Sequence, residues 1–370
     1  MSLGRCYAGH SLPHKLSMAR KYGFSGIELF YEDLLEIAKN MPGGATPENH
    51  ISSAQLIRRY CDERNLQIIC LQPFMHYEGL VDRSLHHRRI EELRLWFKMA
   101  HVLGTDLIML PSSNLPPHEI TEEMDCIVQD MVEIADMALQ ESPVIRFAYE
   151  ALCWGTRVDT WEASWEVVCK VNRPNFGLCL DTFNIAGRIY ADPAMSTGLN
   201  PDANQALAES LDRLVFSVPA DKVFLLQVAD GERLEKPLLQ GHAFYNSEQP
   251  PRMSWSRNAR LFYGEAHYGG YLPIRDILSA LVSRIGFQGW ISLEVFNRRL
   301  ADSDQSIPEE MGRRAAQSWS SLESDLCQIT HNLGYIDTIL DLLRGIMHPK
   351  KWLWRYASGS DPQHIVHAQV

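Results

Sequence analysis

The sequence predicts a single (β/α)₈ barrel with a C-terminal extension. Two observations lead to this prediction: short apolar runs alternate with longer stretches of helical periodicity, and eight such runs can be counted along the 370-residue chain. This alternation is typical of a parallel sheet wrapped by helices, and eight βα units with right-handed crossovers close naturally into a barrel. A doubly wound open sheet is the alternative. It usually carries a glycine-rich phosphate loop after the first strand, and the segment CYAGHSLPHK has no GxGxxG motif.

The predicted elements follow from this alternation. The expected strands are Arg5–Gly9, Gly26–Phe30, Gln67–Gln72, Asp106–Leu110, Ile145–Glu150, Phe176–Asp181, Val223–Gln227 and Trp290–Glu294. Helical stretches between them include Ser52–Arg64, Arg88–Leu103, Glu122–Gln140, Thr160–Val171 and Ile274–Ile285, several of which open on a Ser, Thr or Asp that can cap a helix.

Two long segments set the domain organisation. The connection from Asp230 to Tyr271 has little periodicity and directly follows a predicted strand, so we expect it to be an active-site loop. We assign residues 1–332 to the barrel and residues 333–370 to a tail of unknown role, which contains the amphipathic piece YIDTILDLLRGIM. A docking helix or a disordered end are the simplest interpretations of that tail.

Composition narrows the class of partner. The formal net charge of −11 argues against a surface that neutralises phosphates, so a small molecule is expected rather than nucleic acid. Eight cysteines without a CxxC pair indicate reduced thiols. No signal peptide and no membrane-spanning window is recognised, so we expect a cytoplasmic protein that does not bind membranes, and a homo-oligomer remains open.

Four consecutive predicted strands end on an oxygen-bearing side chain. The segments RFAYE, FGLCLD, VFLLQ and ISLE finish on Glu150, Asp181, Gln227 and Glu294. In a barrel these ends meet on the C-terminal face, where the catalytic groups of this architecture lie. Three packed carboxylates repel unless a cation lies among them, and an all-oxygen set favours Mg²⁺ or Mn²⁺, with Co²⁺ also suitable. A single such acid would more simply be a helix cap or an ion-pair partner, but four in succession favour a divalent metal site.

Several longer segments carry a specific resemblance. GFSGIELFYEDLL, LQPFMHYEGL, YEALCWGTRVD, GLCLDTFNIAGR, SWSRNARLFYGEAHYGG and GWISLEVFN resemble, in order and spacing, the 3-dehydroshikimate dehydratases of quinate catabolism, especially the fungal members. These enzymes have a xylose isomerase-like TIM barrel. The resemblance implies that the four strand-end residues are the metal ligands. It also implies that Ser256 and Arg260 contact the substrate, where a guanidinium suits a ring carboxylate because it offers two parallel donors.

The proton-transfer residues cannot be carried over from the family. Many bacterial members have DxFH after the sixth strand and QPFRDFEG after the third, whereas this chain has Asn184 and Met75 at the corresponding positions. We therefore expect His76 or Tyr77 to act as the base, with His10 as the next candidate. An ordinary surface histidine is the simpler interpretation of His76.

Two further residues are expected to contact the substrate. They are Asn184, which replaces the family's histidine, and Trp154, which we expect to pack near the ring unless it is a core aromatic.

The predicted reaction is a dehydration. A ketone polarised by the ion would lose a neighbouring C–H proton to a base, the β-hydroxyl would leave as water with a proton from a general acid, and a second C–H proton would then be lost as the ketone becomes a phenol, so that 3-dehydroshikimate gives protocatechuate and water. A sugar or keto-acid isomerase or epimerase of the same superfamily is the main alternative. An abasic-site endonuclease and a non-catalytic binding barrel are the others, and the acidic charge and oxygen-only ligands speak against the endonuclease.

Overall fold

A closed parallel barrel forms the centre of the molecule. The computed structural model describes residues 1–347 and 367–369. Going round the barrel, each strand pairs in parallel with its neighbours, and the order is β1 (Gly26–Phe30), β10 (His367–Gln369), β9 (Trp290–Leu293), β6 (Val223–Val228), β5 (Phe176–Asp181), β4 (Arg146–Glu150), β3 (Leu107–Pro111) and β2 (Gln67–Gln72). The predicted α/β barrel is confirmed, and seven of its strands lie where the sequence predicted them to within one or two residues.

The predicted first strand, Arg5–Gly9, is wrong. Residues Cys6–Ala8 form a short 3₁₀ helix, and β10 occupies the barrel position between β1 and β9. Gly4 and Gly9 flank this segment with φ angles of 121° and 93°, in a left-handed region that interrupts an extended strand. The backbone N–H of Arg5 donates to the carbonyl of Leu300, which holds the segment against the loop that follows β9.

Helices surround the barrel. They are α1 (Leu12–Lys21), α2 (Tyr31–Lys39), α3 (Pro47–Asp62), α4 (Arg83–Leu103), α5 (Met124–Ala138), α6 (Trp161–Val171), α7 (Thr182–Ile189), α8 (Ala203–Ser217), α9 (Pro251–Ala259), α10 (Ile274–Leu278) and α11 (Ile307–Met347). Side-chain caps fix several of the starts: Thr160 Oγ1 accepts from the N–H of Ala163, as its position before α6 predicts. The predicted helix Ile274–Ile285 is α-helical only to Leu278 and continues as a π-helix to Arg284.

The long connection after β6 crosses the C-terminal face of the barrel. Its two-residue strands β7 (Asp230–Gly231) and β8 (Arg260–Leu261) pair in an antiparallel ribbon, and α9 lies between them in the sequence. The ring of Trp255 in α9 packs on Phe183 at 4.6 Å between centroids. Asn114, which follows β3, contacts the sulfur of Met253 at 3.5 Å. Helix α9 therefore spans from the β5 side to the β3 side of the barrel mouth.

The C-terminal helix α11 extends further than the barrel domain that the sequence predicted. It runs for 41 residues, and the expected boundary between residues 332 and 333 falls inside it. Residues 348–366 and 370 of the predicted tail lie outside the described residues. In the described part of the chain, no helix combines the length and the apolar character that crossing a membrane requires.

A buried ion pair joins α1 to α2 beside the barrel. Lys15 Nζ donates to both carboxylate oxygens of Asp33, at 2.6 and 2.7 Å, and to the carbonyl of Gly4 at 3.0 Å. Their side chains are only 4% and 5% exposed, so each charge depends on the other for its solvation.

We expect Lys15→Met to lower the free energy of unfolding by about 3–5 kcal/mol, because it leaves the Asp33 carboxylate buried without its counter-ion. The double variant Lys15→Met/Asp33→Leu removes both charges and should be more stable than the single variant. Urea unfolding followed by circular dichroism measures both. A double variant less stable than Lys15→Met would contradict this account.

Candidate metal centre

The four predicted ligands lie together at the C-terminal end of the barrel. Glu150 ends β4, Asp181 ends β5, Gln227 lies near the end of β6 and Glu294 immediately follows β9. The strand register gives them the same side-chain orientation: Asp181 pairs with Gln227, Gln227 pairs with Ser292 two residues before Glu294, and Tyr149 beside Glu150 pairs with Leu178. Each strand presents alternate residues to the interior, so all four side chains converge on the barrel axis.

The three carboxylates form a compact buried cluster. One oxygen from each of Glu150, Asp181 and Glu294 lies within 4.8 Å of the others. Asn184, in the first turn of α7, donates its amide N–H groups to Glu150 at 2.8 Å and to Asp181 at 2.9 Å. The same side chain accepts from the backbone N–H of Cys153 through its oxygen, at 3.1 Å. Asn184 therefore fixes the separation of two of the carboxylates.

Arg260 supplies the positive charge of this cluster. Its Nη1 donates to Asp181 at 2.7 Å and to Glu294 at 3.1 Å, and its Nε donates to the hydroxyl of Ser256 at 3.0 Å. The guanidinium is 1% exposed and packs against the rings of Phe183 and Phe296. Arg260 immediately follows α9, so these hydrogen bonds also connect α9, which covers the site, to the acidic cluster.

Two glutamines and a fourth acid, Glu28, complete the hydrogen-bond network around the three carboxylates. Gln72 at the end of β2 donates to Glu28 at 2.8 Å and to Glu294 at 3.0 Å. Gln227 donates to Glu28 at 3.0 Å and to Glu294 at 3.1 Å. The sequence interpretation assigned no role to Gln72, although it ends its strand in the same way as the four predicted ligands.

Burial and mutual repulsion favour the protonated forms of these acids. Burial is the largest cause that raises the pKa of Glu150 well above its usual range, followed by the charges of Glu294 and Asp181. Burial also raises the pKa of Glu294, and it raises the pKa of Glu28 to about 8, with Glu294 as the next cause. One guanidinium thus compensates only part of the negative charge.

The donor set fits a hard divalent cation. Three buried carboxylates whose charge is incompletely neutralised are the ligands that such an ion prefers. As oriented, Gln227 turns its NH₂ group to the carboxylates, while its Oε1 accepts from the thiol of Cys179 at 3.3 Å. A half-turn of the terminal amide would present Oε1 to an ion instead. Glu150, Asp181 and Glu294 could therefore hold the ion, with Gln227 as a fourth ligand after this rotation.

A second group of candidate ligands is less suited to a metal. His86, Asp130 and Glu133 lie together, but Asp130 already accepts from the Arg83 guanidinium at 2.7 and 3.1 Å and from the N–H of Gly79 at 2.8 Å. Arg83 pairs with a single carboxylate of this group, whereas Arg260 is shared between two of the three carboxylates of the first cluster, so the charge of Asp130 is better compensated. We interpret this group as a structural ion-pair network between α4 and α5.

The expected proton-transfer residues lie in three different places. Tyr77 is buried and its hydroxyl contacts His86 at 3.4 Å and Glu133 at 3.3 Å, so it faces the structural network rather than the acidic cluster. His10 is buried, and its Nε2 lies 2.7 Å from the carbonyl of Asp302, in the loop after β9. Neither ring has a described hydrogen bond to the carboxylate cluster.

His76 lies in the loop after β2, towards α9. Its Nδ1 is 3.3 Å from the hydroxyl of Ser113, whose backbone N–H donates to Glu78 at 2.6 Å. The φ angle of 55° places His76 in the left-handed region, a strained conformation for a residue with a Cβ. Burial, then the charges of Arg89 and Arg257, lower the pKa of His76 to about 4. The imidazole is therefore neutral at physiological pH.

Trp154 follows β4 and packs against the core. Its indole N–H is buried and has no hydrogen-bond partner among the described residues. Such a donor is costly to bury alone, and no described contact joins it to the carboxylate cluster.

The fold and this cluster together define the class of protein. The model of the xylose isomerase-like TIM barrel family matches residues 16–320, and the chain belongs to this family. Within it, the chain is 54% identical over 332 residues to a 3-dehydroshikimate dehydratase of Neurospora crassa, covering 88% of this chain and 92% of the relative. The family resemblance predicted from the sequence is confirmed.

A more distant relative and a solved structure are also similar to this chain. A 3-dehydroshikimate dehydratase of Pseudomonas aeruginosa is 30% identical over 78% of this chain, which spans 36% of that longer protein. The solved structure of the IolI protein with a bound zinc atom has a TM-score of 0.60 at 19% identity, covering 87% of this chain and 94% of IolI. The latter likeness concerns the fold alone.

We expect Glu294→Gln to weaken the binding of Mn²⁺ by at least about tenfold, because it removes one of three anionic ligands. Isothermal titration calorimetry on the chelator-treated protein measures this affinity. Glu78→Gln is the matched control, since Glu78 is also a buried carboxylate but lies outside the cluster. Equal Mn²⁺ affinity in Glu294→Gln and the unmodified protein would contradict the metal site.

We expect the imidazole of His76 to remain neutral down to a pH near 5 in the folded protein. Its pKa is lowered to about 4 from an ordinary value of 6.5, so the unfolded chain takes up the proton first as the pH falls. The stability that the neutral ring contributes is therefore lost between about pH 6.5 and pH 4. Nitrogen chemical shifts, assigned with a His76→Gln variant, measure the titration. Half-protonation near pH 6.5 would contradict the buried placement.

Proposed function

We propose that this protein is a metal-dependent 3-dehydroshikimate dehydratase, a hydro-lyase that forms protocatechuate and water. The 54% identity with the Neurospora crassa enzyme over nearly the whole length of both chains is the observation that carries the proposal. The buried carboxylate cluster supports it, because such a reaction requires a site that polarises a ketone beside a C–H bond.

The chain's own residues can be given roles in this reaction. A divalent ion such as Mg²⁺, Mn²⁺ or Co²⁺ would supply Lewis acidity, which would make the C–H beside the substrate ketone more acidic. Glu150, Asp181, Gln227 and Glu294 would hold the ion. Asn184 cannot accept a proton at its amide nitrogen, and it is already engaged with two carboxylates, so it would position the ligands rather than serve as base.

His76 is the proposed general base. Its neutral imidazole can take up a proton at Nε2 while Nδ1 stays against Ser113. A pKa of about 4 makes the free enzyme's His76 a weak base, and a bound anion beside it would raise that pKa towards the working range. Tyr77 and His10 remain second candidates whose described contacts point elsewhere. Ser256, Arg260 and Trp154 are the proposed substrate contacts.

The wider setting of the reaction is also a proposal. The product would be an aromatic acid of quinate and shikimate catabolism, as the sequence resemblance implies, and the names of the relatives give 3-dehydroshikimate as their substrate. A cytoplasmic location is supported by the eight cysteines, which form no disulfide.

We expect the metal-loaded protein to convert 3-dehydroshikimate with a rise in ultraviolet absorbance, because an aromatic ring is formed. Treatment with a chelator should abolish the rise, and added Mg²⁺, Mn²⁺ or Co²⁺ should restore it. Glu294→Gln should be inactive at metal concentrations that saturate the unmodified protein. Turnover of a ketose together with no absorbance change on 3-dehydroshikimate would contradict the proposal and favour an isomerase.

A further inference from the structure

One buried carboxylate joins the two ends of the long connection after β6. Asp230 begins this connection and is 7% exposed. Its Oδ1 accepts hydrogen bonds from the backbone N–H groups of Gly231 at 2.7 Å, Leu272 at 2.9 Å and Tyr271 at 3.1 Å. Gly231 is the next residue of the chain, whereas Tyr271 and Leu272 lie at the far end of the connection. We call this carboxylate and the three N–H groups the clamp.

The far end of the connection is itself attached to other parts of the protein. The hydroxyl of Tyr271 donates to the carbonyl of Gly198 at 2.9 Å, and Leu272 is buried just before α10. Gly270 lies against the clamp, because a Cβ added to it would be 2.6 Å from Asp230 Oδ2. The clamp therefore attaches the start of the connection to a segment whose position is already fixed by other contacts.

The two residues that follow Asp230 hold α9. The indole N–H of Trp255, in the middle of α9, donates to the carbonyl of Glu232 at 2.8 Å. A Cβ on Gly231 would lie 2.5 Å from the same indole ring, so only glycine allows this close approach. The N–H of Glu232 donates to the carbonyl of Ala259, the last residue of α9, at 2.8 Å. Helix α9 is therefore attached at its middle and at its end to residues that begin at the clamp.

The clamp depends on an oxygen acceptor more than on a charge. The described hydrogen bonds of Asp230 all come from backbone N–H groups. Burial raises the pKa of Asp230 to about 6, the three N–H groups oppose this rise, and the charge of Glu265 adds to it. Burying the negative charge is thus costly, whereas the three N–H groups each require an acceptor. A neutral amide oxygen at this position would satisfy them as well.

We infer that Asp230 is a positioning residue: it holds α9, and with it Ser256 and Arg260, over the acidic cluster without touching the substrate. This inference rests on the proposed function for the roles of Ser256 and Arg260 as substrate contacts. The clamp acts through backbone N–H groups, so its effect reaches the substrate through the position of α9. Contacts that are held in place before binding save the cost of ordering them when the substrate arrives. Affinity for the substrate therefore depends on a carboxylate outside the cluster of Glu150, Asp181 and Glu294.

Two substitutions of Asp230 separate a positioning role from a catalytic one. Asp230→Asn keeps an oxygen acceptor, and we expect it to bind protocatechuate in the Mn²⁺-loaded state within about twofold of the unmodified protein. Asp230→Ala leaves the three N–H groups without an acceptor and should weaken the same binding about 10- to 100-fold. Isothermal titration calorimetry measures both affinities without turnover.

Gly270→Ala tests the clamp from its other side. The added methyl group meets Asp230 Oδ2, so this variant should weaken protocatechuate binding in the same direction as Asp230→Ala while the carboxylate stays in the chain. Asp82→Ala is the matched control. The Asp82 carboxylate also accepts backbone N–H groups, those of Ser84 and Leu85, but it does so at the start of α4, and its loss should leave protocatechuate binding unchanged.

Amide hydrogen exchange, measured by mass spectrometry, gives a second readout that needs no ligand. Asp230→Ala and Gly270→Ala should exchange faster than the unmodified protein in residues 251–261, which include α9. Exchange in the barrel strand β3 should be unchanged, because a loss of position at α9 is local whereas a loss of overall stability is not.

The outcomes separate this inference from the proposed function. Equal loss of protocatechuate binding in Asp230→Asn and Asp230→Ala would overturn the positioning role, because the charge itself would then be required. Unchanged exchange in residues 251–261, or equally faster exchange in β3, would overturn it as well. Faster exchange confined to residues 251–261 would support the clamp even if the unmodified protein neither binds protocatechuate nor dehydrates 3-dehydroshikimate, and in that case only the proposed function would be contradicted.

Discussion

The structure of this site depends on the repulsion between carboxylates that the barrel forces together. Parallel strands place Glu150, Asp181 and Glu294 in one buried cluster at the C-terminal end of the barrel. Several neighbouring side chains donate hydrogen bonds to these carboxylates: two come from Asn184, two from Arg260 and one each from Gln72 and Gln227. None of these donors carries the double charge of a divalent cation, which the three carboxylates could hold.

The sequence could predict the parts of this architecture that repeat. The barrel follows from alternation of apolar runs and helical stretches, and the acidic cluster follows from a single rule, that consecutive parallel strands end at the same face. The barrel and the acidic cluster both depend on the periodicity of apolar residues and on the order of strands and helices, and both of these can be read directly from a sequence. Arg5–Gly9 was misinterpreted because its apolar content resembles a strand, whereas the backbone angles of Gly4 and Gly9 decide its conformation.

The roles of the arginines could not be predicted in the same way. Ser256, Arg257 and Arg260 lie in one short motif, and nothing in their spacing says which guanidinium turns to the acidic cluster. The orientation of Arg260 depends on the direction in which α9 crosses the barrel, and Phe183 and Asn114 fix this direction from distant parts of the chain. Tyr77 illustrates the same difficulty, since its neighbour His76 faces the mouth while Tyr77 faces the helices.

The attachment of α9 through Arg260 divides the long connection after β6 into two parts with different tolerance to change. Residues 232–250 precede the helix, are largely exposed and contribute no side chain to the acidic cluster, so their length can vary between relatives without altering the charge balance beneath. Residues 251–260 include α9, which covers the acidic cluster, and Arg260, which is the counter-ion of that cluster. An insertion there would shift Arg260 away from Asp181 and Glu294. Changes in α9 and changes in the acidic cluster must therefore evolve together.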